Sequence, residues 1–197
     1  MVDKEAVDNS DSLLSTPEPQ KQRGKLKRGI IDIIETVVIA LLLFLVINGI
    51  SARIRVDGRS MEPTLNSGQF VLVNKLAYRC GSPQYGDIIV FHYPRNPDQE
   101  YIKRVIGLPG DLVDIKAGKI SVNGQLIEEP YILNEPSYQE RVSVSVNALF
   151  VLGDNRNNST DSHTWGAVPV ESVVGKAFLI YWPPQDWGIL PHQISSD

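Results

Sequence analysis

The chain has 197 residues, 42% of them hydrophobic, and carries a formal charge of −4 from 19 basic and 23 acidic side chains. That length fits one domain or one domain plus an appendage, and the mildly acidic balance excludes a nucleic-acid binder, which needs a basic face to displace counterions. A single cysteine, Cys80, excludes an internal disulfide framework and a Cys-rich zinc site, and His92, His163 and His192 show no metal-ligand spacing.

Mean hydropathy is −0.11, which excludes a polytopic membrane protein but leaves room for one span. Residues 1–29 read as a disordered polar and basic tail. The first 23 are rich in Ser, Asp, Pro and Gln and cannot bury enough surface to offset ordering. Lys21, Arg23, Lys25, Lys27 and Arg28 then give residues 20–29 a charge of +5 with no acid. Residues 30–50 follow with 16 apolar positions out of 21, including the unbroken run Val37–Ile47. As a helix, this segment reaches about 31 Å, one hydrocarbon thickness. Asp32 and Glu35 share one face of its first turns, near the positive end of the helix dipole. The expectation is a transmembrane helix whose basic flank keeps the N-terminus in the cytoplasm and puts residues 51–197 on the far side. Two other readings compete. One is a cleaved secretory signal, although Gly49-Ile50-Ser51 is a poor A-x-A match. The other is a buried core helix.

After residue 51 the pattern turns β-rich. Phe70–Val73 and Ile88–Phe91 are apolar runs of strand length. Gly86-Asp87, Gly110-Asp111 and Gly153-Asp154 punctuate the chain as turns. Ile120–Val122 and Gln125–Ile127 flank Asn123-Gly124, a strong hairpin signal because both turn residues tolerate positive φ. Val142, Val144 and Val146 alternate with serines as in a half-buried strand. Phe178–Trp182 reads as a late strand stopped by Pro183-Pro184. The Pro-rich stretches 94–97 and 130–136 read as loops. The fold class expected is therefore mainly β, with one N-terminal transmembrane helix.

Three segments carry more specific chemistry than loops need: 57–65, 101–111 and 153–162. Ser60 would be inert as a nucleophile unless a nearby base took its proton. No histidine is obviously placed for that, and no G-x-S-x-G elbow occurs. A neutral lysine is the other option. Lys103 lies in Tyr101-Ile102-Lys103-Arg104-Val105-Ile106, a strand-like run whose apolar neighbours would desolvate it and lower its pKa. Moving a lysine from about 10.4 to about 8 costs roughly 3 kcal/mol. On pattern alone, a surface strand with a snorkelling lysine remains open.

The conjunction of boxes resembles the bacterial type I signal peptidases, membrane-bound serine proteases of the Ser/Lys type. Ser60-Met61-Glu62-Pro63-Thr64-Leu65 is similar to the family's S-M-x-P-T-L. Residues 103–111 are similar to K-R-V-x-G-x-P-G-D, and residues 153–162 to G-D-N-R-x-N-S-x-D-S. The resemblance runs from about residue 30 to 182. It implies Ser60 as nucleophile, Lys103 as general base and Ser159 as the hydroxyl that orients the Lys103 amine. It further implies Arg104 and Asp154 as a pair tying two boxes together, and Asp161 as support for the same loop. Gly58 stands where some relatives have a serine that helps bind the oxyanion, so the hole would rest on the Ser60 backbone N–H, with Gly58 allowing close approach. His163 stands where the family often has an arginine, which puts the usual Asp–Arg contact from Asp161 in doubt and would weaken it at alkaline pH.

Ile54 and Val56 offer an apolar strand face ahead of the nucleophile. The substrate-binding residues expected are Ile54, Val56, Leu65, Tyr101 and Ile102, with Met61 contacting substrate or lipid. The implied partners are signal-peptide-bearing precursors with A-x-A-like cleavage sites and the lipid bilayer, with no nucleic acid, no metal and no cofactor. The implied location is a single-pass membrane protein whose catalytic domain, 51–197, faces the periplasmic or extracytoplasmic side, or a thylakoid lumen. Cys80 reads as a bystander. Two alternatives stand beside this: a tethered β-domain that binds without catalysis, for which Ser60 and Lys103 would be superfluous, and a self-cleaving repressor, which would carry a helix-turn-helix.

Overall fold

The computed structural model describes residues 20–79, 81–191 and 195–196. The chain divides after Leu45 into a helical unit and a β-rich unit. Helix α1 (Gln20–Ile50) starts at Gln20 rather than at residue 30, because Lys, Arg and Gln are good helix formers and no proline interrupts them. The basic cluster is thus part of the helix and not of a tail; residues 1–19 and Cys80 lie outside the described residues. Every side chain from Arg28 to Ile50 is exposed. This 23-residue stretch is long and apolar enough to cross a membrane, and its exposure overturns the core-helix reading.

The β-rich unit contains β1 (Ser51–Arg55), β2 (Phe70–Asn74), β3 (Ile88–Tyr93), β4 (Asn96–Gly107), β5 (Leu112–Lys116), β6 (Lys119–Val122), β7 (Gln125–Glu128), β8 (Glu140–Ser143), β9 (Ala148–Leu152), β10 (Val168–Pro169), β11 (Val173–Trp182), β12 (Gly188–Ile189) and β13 (Ser195–Ser196). A short helix α2 (Ser162–Trp165) precedes β10. One sheet runs β1-β2-β11-β3-β4-β9-β10, with β12 on β11; the other runs β13-β7-β6-β5-β8.

The apolar runs without alternation are strands buried on both faces. In β3, Ile88 and Val90 pack with Met61, Leu65, Val71 and Val73. Ile89 and Phe91 point the other way, onto Val105, Leu149, Val151 and Trp165. β9 does the same: Leu149 and Val151 join that cluster, while Phe150 and Leu152 pack with Ile106, Val113, Ile115 and Ile120, strands of both sheets. The Asn123-Gly124 hairpin has φ of 53° and 85°, the left-handed pair such a turn demands.

Two boundaries differ from the sequence reading. β4 opens at Asn96, so Pro97 lies in a strand. Proline is tolerated there because this half of β4 pairs on one side only, with β3. β8 ends at Ser143. Val144 stays buried through backbone bonds with Gly110 and Asp111, whereas Val146 is 78% exposed as the chain turns towards β9.

Among the described residues β1 pairs only with β2, and β4 pairs with β9 only from Arg104 onward. Two strand edges, at β1 and at residues 96–102 of β4, are therefore unpaired. Phe150 is fully buried where the two sheets share a core. Phe150→Ala is expected to lower unfolding free energy by about 3–5 kcal/mol, read as a drop in denaturant midpoint of the full chain in detergent.

Candidate active site

The β1–β2 ladder pins the chain up to Val56, whose N–H donates to Gln69 O and whose carbonyl accepts from Gly68 N–H, each at 2.8 Å. Gly58 then takes φ of +98°, a region in which a side chain is strained. The following turn closes with Leu65 N–H donating to Met61 O at 2.8 Å, and Met61 and Leu65 sink into the core. Ser60 is left half-buried on the outer side of this turn. Asn155 clamps it from the third box: its N–H donates to Ser60 O and its Nδ2 to Arg59 O, both at 3.0 Å.

β4 delivers the second group. Lys103 is 4% exposed, and its Nζ lies 2.7 Å from Ser60 Oγ and donates to Ile102 O at 3.0 Å. The amine also sits 5.5 Å from the centre of the Tyr101 ring. Burial pulls its pKa from the usual 10.5 down to about 8, against the opposing pull of Asp161 and Asp154. A lysine in this state is neutral in a useful fraction of molecules at mildly alkaline pH, and a neutral amine accepts the proton of a serine hydroxyl.

The two open edges, Ile54–Asp57 and Gln99–Ile102, wall a cleft of about 740 Å³ that has Ser60 and Lys103 in its lining. Of the expected substrate contacts, Ile54, Tyr101 and Ile102 line it. Val56, Met61 and Leu65 are core residues instead, at 3%, 1% and 0% exposed, because their apolar side chains hold the Ser60 turn down. Sequence reasoning missed the polar rim: Arg55, Asp57 and Arg59 on one wall, Gln99 and Glu100 on the other. Alternation puts Arg55 on the strand face opposite Ile54, so the pattern that marked Ile54 gave no signal for Arg55.

Behind the pair lie buried ions. Arg104 and Asp154, both 0% exposed, form a two-pronged pair at 2.8 and 2.7 Å. Arg104 also donates to Gly86 O and Pro191 O at 2.9 Å and stacks 4.0 Å over the Tyr131 ring. Arg156 pairs with Glu129 through both its terminal nitrogens and donates from Nε to Gly153 O at 3.0 Å. Glu129 sits in a stretch with no motif, so nothing in the sequence marked it.

Asp161 accepts from Gly153 N–H at 2.9 Å and, on its other oxygen, lies 2.6 Å from His163 Nδ1. The imidazole therefore occupies the place of a cationic partner. Gly153 fits where nothing larger would: a Cβ there would collide with Ser60 O and Ser159 Oγ. Ser159 Oγ is buried and, among the described residues, has no hydrogen-bond partner; the Lys103 amine bonds Ser60 and Ile102 rather than Ser159. The described residues contain no group of His, Cys, Asp and Glu arranged to hold a metal.

A family profile described as "Signal peptidase, peptidase S26" matches residues 30–182. The chain is 38% identical over 196 residues to the signal peptidase I of Leptolyngbya laminosa, covering 92% of this chain and 97% of that one. It is 41% identical over 163 residues to the probable signal peptidase I-2 of Synechocystis, covering 79% and 75%. To the signal peptidase I of Pseudomonas aeruginosa it is 35% identical over 192 residues, covering 70% and 68%.

Removing Arg104 would strand a buried carboxylate. Arg104→Met is expected to cost about 3–5 kcal/mol of stability, with the loss recovered in large part by the double variant that also carries Asp154→Leu; a double-mutant cycle on denaturation midpoints measures it.

Proposed function

As a member of the signal peptidase family, peptidase S26, this chain is a serine endopeptidase that removes signal peptides from precursor proteins, and we propose that Ser60 and Lys103 carry that reaction. The observation behind the assignment is the 2.7 Å contact between Ser60 Oγ and a buried Lys103 Nζ whose pKa falls to about 8.

Neutral Lys103 takes the Ser60 proton as Oγ attacks the scissile carbonyl. The backbone N–H of Ser60, which no described group accepts, donates to the developing oxyanion, and Gly58 leaves room for the substrate backbone beside it. Collapse breaks the C–N bond, and the Lys103 ammonium returns its proton to the leaving amine. An acyl-enzyme remains on Ser60. Lys103, neutral again, deprotonates the water that hydrolyses it. Ser159, with its unpartnered buried Oγ, takes the role of orienting the amine in its charged form.

The precursor lies extended between the two open edges. Val56 turns its N–H and C=O towards β2, so by strand alternation Arg55 and Asp57 turn theirs into the cleft. Ile54, Tyr101 and Ile102 leave shallow apolar room, which suits small residues at −3 and −1 of an A-x-A-like site. The apolar helix anchors the protein in the bilayer, where the signal peptides of its precursors are also confined. Its basic flank puts the N-terminus in the cytoplasm and the β-rich unit on the extracytoplasmic side, or in the lumen where the membrane is a thylakoid.

Ser60→Ala and Lys103→Ala are each expected to lower turnover of an A-x-A precursor by about 10³-fold or more, with the cut position read by mass. Near-normal turnover in the lysine variant removes the mechanism. For the intact enzyme, kcat/KM is expected to rise with pH through about 8 as Lys103 loses its proton.

Stability has its own sign. Below about pH 8 the lysine is charged in both folded and unfolded chains, and the fold bears the full desolvation cost; between 8 and 10.5 that cost fades. Lys103→Met is therefore expected to raise unfolding free energy by about 1–3 kcal/mol at pH 6–7, and by progressively less above pH 8, while activity is lost.

A further inference from the structure

His163 is part of α2 but belongs chemically to the buried carboxylate before it. Asp161 is 0% exposed, and its Oδ1 lies 2.6 Å from His163 Nδ1 and accepts from the His163 N–H at 3.3 Å. The imidazole is stacked on Tyr138 at 4.0 Å with the planes 12° apart, and Thr164 Oγ1 lies 3.1 Å from Nε2. The ring is thus fixed on three sides. The titratable groups facing it are Asp161 at the helix cap, Glu140 from β8 and the Tyr138 phenol. The two carboxylates favour its protonated form, chiefly through the Asp161 hydrogen bond, and hold its pKa above the usual 6.5. Tyr138, half-buried beside Asp161, is held above its ordinary range and stays neutral.

The same carboxylate reaches the active site twice. Its second oxygen holds Gly153 N–H at 2.9 Å, and Gly153 is wedged between Ser60 O and the Ser159 side chain. Its charge also favours the ammonium form of Lys103, opposing burial.

Resting on the reading of Ser60 and Lys103 as nucleophile and base, we propose that His163 is a positioning residue for that pair, its imidazolium offsetting the Asp161 charge felt by Lys103 and fixing Asp161 on the Gly153 turn. While His163 is protonated, Asp161 holds the Lys103 proton less tightly, so the base is available at lower pH. When His163 loses its proton, the Asp161 charge is uncompensated, the lysine keeps its proton longer, and the turn behind Ser60 loses one fixed partner.

The test is the kcat/KM profile from pH 6 to 10 of full-length enzyme in detergent, for wild type, His163→Gln and His163→Arg, with Ser60→Ala alongside. His163→Gln keeps a hydrogen-bond donor without the charge, whereas His163→Arg is permanently charged; the acid limb of the glutamine variant is expected to lie about half a pH unit above that of the arginine variant, with kcat differing more at pH 7 than at pH 9 and KM little changed. The wild-type limb is expected to fall no lower than the arginine variant's and no higher than the glutamine variant's. Should the glutamine variant fail to fold, His163→Asn, likewise neutral, takes its place. Acid limbs that coincide in the neutral and charged variants, or a uniform loss at every pH, overturn the inference while an inactive Ser60→Ala leaves the Ser60–Lys103 reading standing. Cleavage by Ser60→Ala overturns that reading itself.

Discussion

A lysine amine must be kept dry next to carboxylates without being captured by them. Burial alone would neutralise Lys103, but Asp154 and Asp161 both pull its proton back. Each of those carboxylates has a partner of its own: Asp154 has Arg104, in a two-pronged pair, and Asp161 has the His163 imidazole. Desolvation is the largest influence on the lysine, and the pKa settles near 8. The rest of the architecture can be read as what that balance requires.

The buried ion pairs are costly elements to build a fold around, since desolvating two charges consumes much of their attraction. Their position gives the reason to keep them. Arg104 follows Lys103 directly on β4, and it reaches Asp154 beside the turn that clamps Ser60, as well as the carbonyls of Gly86 and Pro191. Arg156 reaches back from the same segment to Glu129, whose other contact is the Tyr131 hydroxyl, and Tyr131 lies under Arg104. A guanidinium has a fixed fork of donors, so each pair sets an orientation as well as a distance. Segments far apart in the chain are thereby held to the tolerance that a 2.7 Å contact between Ser60 and Lys103 needs.

The sequence disclosed most where a local rule applied. The Asn123-Gly124 hairpin follows from turn stereochemistry, and α1 from an apolar run of membrane length. The Ile88–Phe91 strand follows from its unbroken apolar character. What it hid was direction. Val56, Met61 and Leu65 are apolar residues flanking Ser60, and nothing local says that they point into the core while Arg55 and Glu100 face the cleft. That is decided by β2 and β3 packing beneath the turn, a contact between segments distant in the chain. Glu129 was invisible for the same reason, since a glutamate in a loop has no signature until an arginine 27 positions later closes on it. The start of α1 was misplaced because composition marks where a helix enters lipid, whereas helix propensity marks where it begins.

Two unpaired strand edges facing one cleft would ordinarily invite another chain to add to the sheet. Here the edges are short and guarded. β1 is five residues long and exposes Arg53 and Arg55, while the open half of β4 begins with Pro97, Asp98, Gln99 and Glu100. A second sheet approaching either edge would have to bury these charges or meet a residue with no N–H to offer. A single extended peptide would not, because its backbone would occupy the space between the edges while the charged side chains stayed at the rim. On the proposed function, the cleft would discriminate by shape before it discriminates by sequence: it would admit one strand, with small side chains where Ile54, Tyr101 and Ile102 close in, and present that strand to the Ser60 hydroxyl in contact with Lys103.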